Sequence, residues 1–528
     1  MPCMEKTYNP IKMNNQHKMN ITDYFFDAAK KHPDKAAIIE VTNSISFGQL
    51  AQEVKNTAQY LEERGIQSGD RVMVFVPMSI DLYRITLALF YIGATAVFLD
   101  AWASRERLKM CCRLAQCKAF VGTPKAQLLR IATKEIRQIP IHLSIKGRGQ
   151  RQHPGQRMDR EASALITFTT GSTGLPKAAD RTHLFLMQQF EVLKEKLQCH
   201  HSDVAMPMLP IVLFINLGVG ATSVIADYNA RKPEKMSAAK VIKQLISHKI
   251  NRITASPFVI KRIAQHLLDT KTSLPYLHQV STGGAPVFPE EAKIYQRALP
   301  NTRIEIIYGS TEAEPISSIA ATELSQLKVS GGLAVGDVHP DTALRILSIE
   351  NKHQHKINLQ DFESSVVTEG EIGEIVVSGD HVLKKYFNNS EAFRENKIIV
   401  DSQVWHRTGD SGYIQDGNLY LTGRCAQLIK REDRYLSPFV IENRIKTLGN
   451  GNKIGTIIEH TNGLYLVVEK GINLSELETY FMDLEYDTVV QVNKIPRDPR
   501  HYSKIDYNKL KAQLPCTPKS YFTRTCYT

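Results

Sequence analysis

No stretch of the 528 residues stays apolar for the roughly 18 positions that a membrane-crossing helix needs, and the N-terminus is polar, without the apolar core of a secretion signal. A cytoplasmic location is therefore the expectation, with peripheral membrane contact left open. The eight cysteines, Cys3, Cys111, Cys112, Cys117, Cys199, Cys425, Cys516 and Cys526, form no paired Cys-x-x-Cys arrangement with matching histidines. That argues against a structural zinc site and leaves reduced thiols. There is also no clustered basic run interleaved with aromatics, so no nucleic-acid partner is expected despite a formal net charge of +12. The positive excess favours anionic ligands such as nucleotides or phosphorylated carriers without choosing among them. Nor is the chain poor in apolar residues. With 42% hydrophobic and 23% charged residues it has the balance of a globular protein, and its length implies about two to four domains.

What is present is a regular alternation of periodicities. Helical spacing covers residues 21–35, 47–64, 81–93 and 105–115, with a hairpin-like pair of runs at 36–47 and strand-like runs at 71–77, 96–99, 118–122 and 141–145. A polar stretch, 147–160, reads as a loop. The alternation resumes after an apolar run at 204–220, with helices at 236–248 and 257–268 and strands at 252–255, 279–282 and 303–307. This pattern predicts two α/β units with parallel strands, whose C-terminal ends share one site. Residues 373–377 and 417–421 alternate as strands of an antiparallel sheet or distorted barrel. Further on, strands 464–469 and 488–492 flank a helix at 474–482, a small α+β unit of about 100 residues.

The stretch with the most chemistry in it is Leu165-Ile-Thr-Phe-Thr-Thr-Gly-Ser-Thr-Gly-Leu-Pro-Lys177. A β-prone run ends in hydroxyls and glycines, and helical spacing starts at Thr182, which predicts the order strand, loop, helix. Gly171 and Gly174 allow the backbone to approach an anion, Thr169, Thr170, Ser172 and Thr173 offer hydroxyl donors, and Lys177 adds charge. The string is not a Walker loop, because Ala178 follows Lys177. A Gly/Ser/Thr surface turn would account for Gly-x-x-Gly alone. Three other segments carry candidate ligands. Gly283-Gly284-Ala285-Pro286 and Tyr308-Gly309-Ser310-Thr311-Glu312 both read as strand-to-loop junctions, the second combining a flat ring, a glycine, hydroxyls and a carboxylate able to hold Mg²⁺. In Trp405-His-Arg-Thr-Gly-Asp410, Asp410 can accept both ribose hydroxyls, and Gly423-Arg424 follows.

Taken in order, these strings resemble the motifs of the adenylate-forming superfamily of acyl-CoA synthetases, luciferases and peptide-synthetase adenylation domains. The resemblance implies a large N-terminal AMP-binding domain over 1–422, built of two α/β subdomains and a distorted β-barrel. A hinge at 423–427 and a mobile α+β lid at 428–528 would follow. It implies ATP and Mg²⁺ as cofactors and a carboxylic acid as substrate, activated to an acyl-adenylate with loss of pyrophosphate. The hydroxyl loop and Lys177 would hold the β- and γ-phosphates, Glu312 the Mg²⁺ and Thr311 the α-phosphate. Gly284, Ala285, Pro286, Tyr308, Gly309, Asp410 and Arg424 would hold the nucleoside. Lys504 occupies the position of the family's catalytic lysine.

Departures from the commonest pattern bear on the second half-reaction. Ala426 stands at the hinge position where acyl-CoA synthetases carry Asp or Lys. Asp433 lies in the Arg431–Arg434 string that replaces the glycine beside the thiol tunnel, so CoA is a doubtful cosubstrate. Three strings, 308–315, 435–442 and Arg500-His-Tyr-Ser-Lys-Ile505, look instead like the olefin-pathway β-lactone synthetases. In that branch the adenylate of a long-chain β-hydroxy acid is attacked by its own hydroxyl. Candidate acyl-pocket residues are Leu213, Phe214, Asn216, Gly284 and His501, although a buried core element explains the apolar run at 206–220 almost as well. Two other readings stay open: a ligase passing the acyl group to CoA or to an acyl carrier protein, and a nucleotide-binding protein without activity. The retained Lys177, Glu312, Asp410, Arg424 and Lys504 argue against the last. Other pathway enzymes are also conceivable partners.

Overall fold

A computed structural model gives the fold; the residues it describes are 20–99, 105–156, 158–170, 176–327, 331–349, 355–432, 434–448, 453–460, 463–497 and 505–514. Within these, two sheets carry the architecture. The first has six strands in the order Ile141–Ser144, Ala119–Gly122, Arg71–Phe75, Thr95–Phe98, Ser163–Thr170, Pro176–Thr182. All neighbours are parallel except the last pair. The second runs through Ala36–Ile39, Thr222–Val224, Val204–Pro207, Arg252–Ala255, Gln279–Gly283 and Arg303–Ser310 in parallel. Beyond Arg303–Ser310 its neighbours turn antiparallel. Ala313–Ala320 and Leu333–Val338 lead on to Asn418–Arg424, Gln403–Gln415, Gly373–Ser378 and Ala343–Leu347, which make up the antiparallel region expected from the alternating runs.

The helices follow from local signals. In the helix Phe47–Glu63, Ser46 and Gln49 close a reciprocal capping box, and residues such as Leu50, Val54 and Leu61 form its buried stripe. Pro210 opens the helix Pro210–Val219, and Gly220, at φ +84°, ends it in the left-handed conformation. Parallel strands buried on both faces need continuous apolar runs, and Val72, Met73, Ala96, Val97, Phe120 and Ile166 are all fully enclosed.

One expected element order is corrected. Between the glycine-rich segment and the helix His183–Leu197 lies a further strand, Pro176–Thr182, paired antiparallel with Ser163–Thr170 through Thr169↔Lys177 and Thr167↔Ala179. Its sequence, Pro-Lys-Ala-Ala-Asp-Arg-Thr, has little β propensity. Tertiary pairing overrides propensity here: every residue of the strand is buried, and Ala179 also bridges to Tyr386. Similarly, Tyr308–Glu312 is not a strand-to-loop junction but the tip of a hairpin, since Arg303–Ser310 turns straight back into Ala313–Ala320.

Beyond Arg424, a short turn over Cys425–Gln427 leads to the hairpin Ile429–Arg431 and Arg434–Leu436. A helix, Pro438–Leu448, and a three-stranded sheet, Gly455–His460, Gly463–Glu469 and Thr488–Val492, complete the small α+β unit.

Candidate active site

The site gathers at the C-terminal ends of strands from both sheets, the usual place for ligands in open α/β sheets. A strap, residues 382–387, ties the two together. At one end Val382 bridges Ala313, and the Leu383 amide donates to the Glu312 carbonyl at 2.7 Å. At the other, the Phe387 amide donates to the Ala178 carbonyl at 2.8 Å, and the Lys385 ammonium lies 3.4 Å from the buried Asp180 carboxylate. A second tie is the Arg181 guanidinium, which donates to the Thr311 carbonyl at 2.9 Å. The phosphate-loop hairpin and the Tyr308–Glu312 hairpin are thus held in fixed relation.

Lys177 and Glu312 both lie inside this frame, each less than a tenth exposed. Burial lowers the affinity of the Lys177 ammonium for its proton, and Glu312 counteracts this. Lys177 donates to the Asn396 side-chain carbonyl. The Tyr386 hydroxyl donates to the Glu312 carboxylate at 3.3 Å, and burial beside that carboxylate pushes the phenol well above its ordinary range, so it stays a donor. Among the described residues no three acidic, histidine or cysteine side chains cluster as a metal cage. The Glu312 carboxylate is of a kind that could hold Mg²⁺, an ion that keeps several waters and is commonly bound through one or two carboxylates.

On the nucleoside side, Asp410 is held by both of its oxygens: the Tyr308 hydroxyl donates to Oδ2 at 2.7 Å and Arg424 Nε to Oδ1 at 3.0 Å. Arg424 Nη1 also donates to the Thr408 carbonyl at 3.0 Å. A carboxylate has about four lone-pair sites, so these two bonds leave it able to accept ribose hydroxyls. The Asp410 charge holds the Arg424 guanidinium above its ordinary value. Gly309 must be glycine because a Cβ there would lie 2.9 Å from the Ala313 carbonyl oxygen, inside the tip of the hairpin. Gly284 adopts φ +80° just past the strand Gln279–Gly283, with Ala285 and Pro286 following in the same loop.

The structure therefore brings together Lys177, Tyr308, Gly309, Thr311, Glu312, Asp410 and Arg424 from separate motifs. Gly171, Ser172, Thr173, Gly174, Asp433, His501 and Lys504 lie outside the described residues, and Thr169 and Thr170 are described as backbone alone. Leu213 is fully buried in the core, the Asn216 amide donates to the Ser223 hydroxyl at 3.0 Å, and Phe214 packs edge-on against Tyr83 with ring centroids 4.8 Å apart. Sequence reasoning missed Arg181, Tyr386, Asn396 and Lys397. The one signal was a lysine opening the apolar strand Lys397–Val400, where a fully buried charge is unusual.

The AMP-binding enzyme family model matches residues 25–387, more than half of the chain. The chain belongs to the AMP-binding enzyme family. It is an adenylate-forming ligase. Among curated relatives of this family, the olefin beta-lactone synthetase of Stenotrophomonas maltophilia (strain K279a) is 28% identical over 78% of this chain and 80% of its own. The 4-coumarate–CoA ligase 2 of Petroselinum crispum is 24% identical over 80% of this chain and 79% of its own. The AMP-binding fold is also seen in the amide bond synthetase McbA from Marinactinospora thermotolerans (TM-score 0.77, 19% identity, 94% of this chain and 100% of that one). A second such structure is the O-succinylbenzoate Coenzyme A synthetase of Bacillus subtilis in complex with ATP and magnesium ion (TM-score 0.75, 21% identity, 93% and 98%).

Proposed function

We propose that this ligase uses ATP and Mg²⁺ to activate a long-chain β-hydroxy fatty acid and then closes the acyl-adenylate to a β-lactone. The observation that carries the first step is that Lys177 and Glu312 are both buried and near enough to act on one another electrostatically, with Arg424 of the Tyr308–Asp410–Arg424 group also within their reach. Phosphoryl and nucleotidyl transfer need positioning and charge neutralisation more than covalent help. A carboxylate oxygen of the acid attacks the α-phosphorus, the bond to the bridging oxygen breaks, and pyrophosphate leaves. Lys177 supplies positive charge at the departing phosphates, the Asp410 carboxylate orients the ribose, and the Arg424 guanidinium holds Asp410 in place. Magnesium, where bound, neutralises phosphate charge. Lys504, by its place in the sequence, is assigned to bridge the acid and the α-phosphate.

The second step is supported by the leading curated relatives, two of which are named olefin beta-lactone synthetases at 28% identity. The adenylate's own β-hydroxyl attacks the acyl carbon, forming the ring C–O bond. The acyl–phosphate bond breaks with its electron pair leaving on AMP, and the hydroxyl proton is released. Intramolecular attack gains from high effective molarity and needs no thiol. A second reading, transfer to CoA, is favoured by the 4-coumarate–CoA ligases that match a similar span.

The test compares a 3-hydroxy fatty acid with its unsubstituted counterpart, with ATP and Mg²⁺, first without thiol and then with CoA added. AMP should be released over many turnovers with the hydroxy acid, whereas the plain acid should stop near one AMP-equivalent bound as adenylate. Equal, thiol-dependent turnover of both acids would favour the CoA reading instead.

A further inference from the structure

Lys397 is fully buried, and the adenylation chemistry above gives it no task. It opens the strand Lys397–Val400 and sits directly across from His406, which burial and the nearby Lys397 keep neutral. A buried ammonium is costly, and a second cation, Lys177, lies near enough to oppose it. An apolar residue of the same length would pack without that cost. The contacts of Lys397 show what the charge is for. Its ammonium donates to the Leu383 carbonyl, and the amide of the same Leu383 donates to the Glu312 carbonyl at 2.7 Å. It also lies 5.5 Å from the centre of the Tyr386 ring, whose hydroxyl donates to the Glu312 carboxylate at 3.3 Å. One buried amine therefore braces both routes by which the 382–387 strap holds Glu312: main chain to main chain through Leu383, and side chain to side chain through Tyr386.

We propose that Lys397 is a positioning residue of the phosphate side of the site, acting through Leu383 and Tyr386 to fix the Glu312 carboxylate where a magnesium–phosphate complex must find it. This rests on the adenylation reading and goes beyond it. Lys397 touches neither nucleotide nor acid; it orients a group that does, and outer partners of metal-binding carboxylates typically affect metal affinity about 10–100-fold.

The experiment measures, by calorimetry on the full chain, the Mg²⁺ concentration that half-saturates ATP binding, and separately the binding of AMP without metal. The steady-state KM for the acid is a third readout. Wild type is compared with Glu312→Gln, Lys397→Met and Tyr386→Phe. Lys397→Met should raise the Mg²⁺ requirement about 10-fold or more, leave metal-free AMP binding and the KM for the acid within about twofold, and Tyr386→Phe should shift the same quantity by less. An unchanged Mg²⁺ requirement in folded Lys397→Met overturns the inference, as does an equal loss of metal-free AMP binding, which would make Lys397 a support of the whole site. If Lys397→Met does not fold, Lys397→Gln is judged by the same criteria. A normal Mg²⁺ requirement in Glu312→Gln would overturn the adenylation reading itself, independently of Lys397.

Discussion

In the proposed reaction Lys177 is the residue on which phosphate binding would turn, because it is the motif's one cation and it is buried at the site. Its ammonium is bonded to Asn396 and faces Glu312. Lys177→Met should cut acid-dependent pyrophosphate release by about 100-fold, the scale of losing one electrostatic contact to the transition state, with melting temperature little changed. Pyrophosphate release near the wild-type rate would show that another cation serves. Lys397 makes a separate prediction about stability. Burial lowers its affinity to about 7 from an ordinary 10.5, Glu312 opposing and Lys177 adding to the effect. Above pH 7 the unfolded lysine still binds a proton that the folded one has shed, so unfolding takes up protons and stability rises with pH. Between pH 7 and 8.5 the unfolding midpoint of the wild type should rise relative to that of Lys397→Met. The window stops there because burial pushes the Cys112, Cys117 and Cys425 thiols up to about 12, which acts in the opposite direction at higher pH. Parallel pH curves for the two proteins would contradict the shift.

At the level of elements, the hairpins and the strap between them hold the site, and the small C-terminal unit docks beside it. The helix Pro438–Leu448 lies against Pro289–Ala298, with Lys446 Nζ 3.0 Å from the buried Glu291 carboxylate and 4.0 Å over the Phe288 ring. Burial alone would raise the Glu291 carboxyl, but Lys446, Lys261 and the Phe288 amide outweigh it and leave it below its ordinary value. With the Ser437–Thr422 hydrogen bond and the Phe288–Phe439 ring contact, this pair is among the contacts that rotation of the C-terminal unit, if it is the expected mobile lid, would break. Lys446→Met should therefore speed limited proteolysis around Ala426 in the absence of ATP, and ATP should alter cleavage there in the wild type; identical digestion patterns in all three cases would argue against a movable unit. The hairpin tip is a sharper test of packing. Gly309→Ala puts a methyl 2.9 Å from the Ala313 carbonyl and should lower both the melting temperature and Mg-ATP binding. Much of this was legible in the sequence. Strands 252–255 and 488–492 fall where the spacing put them, and Tyr308, Glu312, Asp410 and Arg424 were found because each motif is local. The strand Pro176–Thr182 was not legible, since its pairing partner and the strap supply what its propensity lacks. Arg181, Tyr386 and Asn396 were missed for the same reason: they matter through contacts spanning 74 to 219 residues, which no spacing rule reaches. Lys397 was missed although its bond to Leu383 spans only 14 residues, because that contact runs between the strap and a strand and not along one element.

Across the whole molecule, the parallel parts of two sheets point the ends of Ser163–Thr170, Gln279–Gly283 and Arg303–Ser310 toward one region, while the antiparallel strands Gln403–Gln415 and Asn418–Arg424 bring in Asp410 and Arg424. A positive excess of +12 suits the proposed ligands, ATP, a fatty carboxylate and pyrophosphate, which are all anionic. None of the helices among the described residues is long and apolar enough to cross a membrane. Adenylation at this site followed by ring closure through the substrate's own hydroxyl is put to the test by incubating the protein with a syn 3-hydroxy fatty acid, ATP and Mg²⁺, with and without CoA, and resolving the products by mass. The predicted result is AMP together with a product of the acid's mass minus one water, at the same rate whether or not CoA is present; an acyl-CoA as the main product, with no dehydrated species, would contradict it.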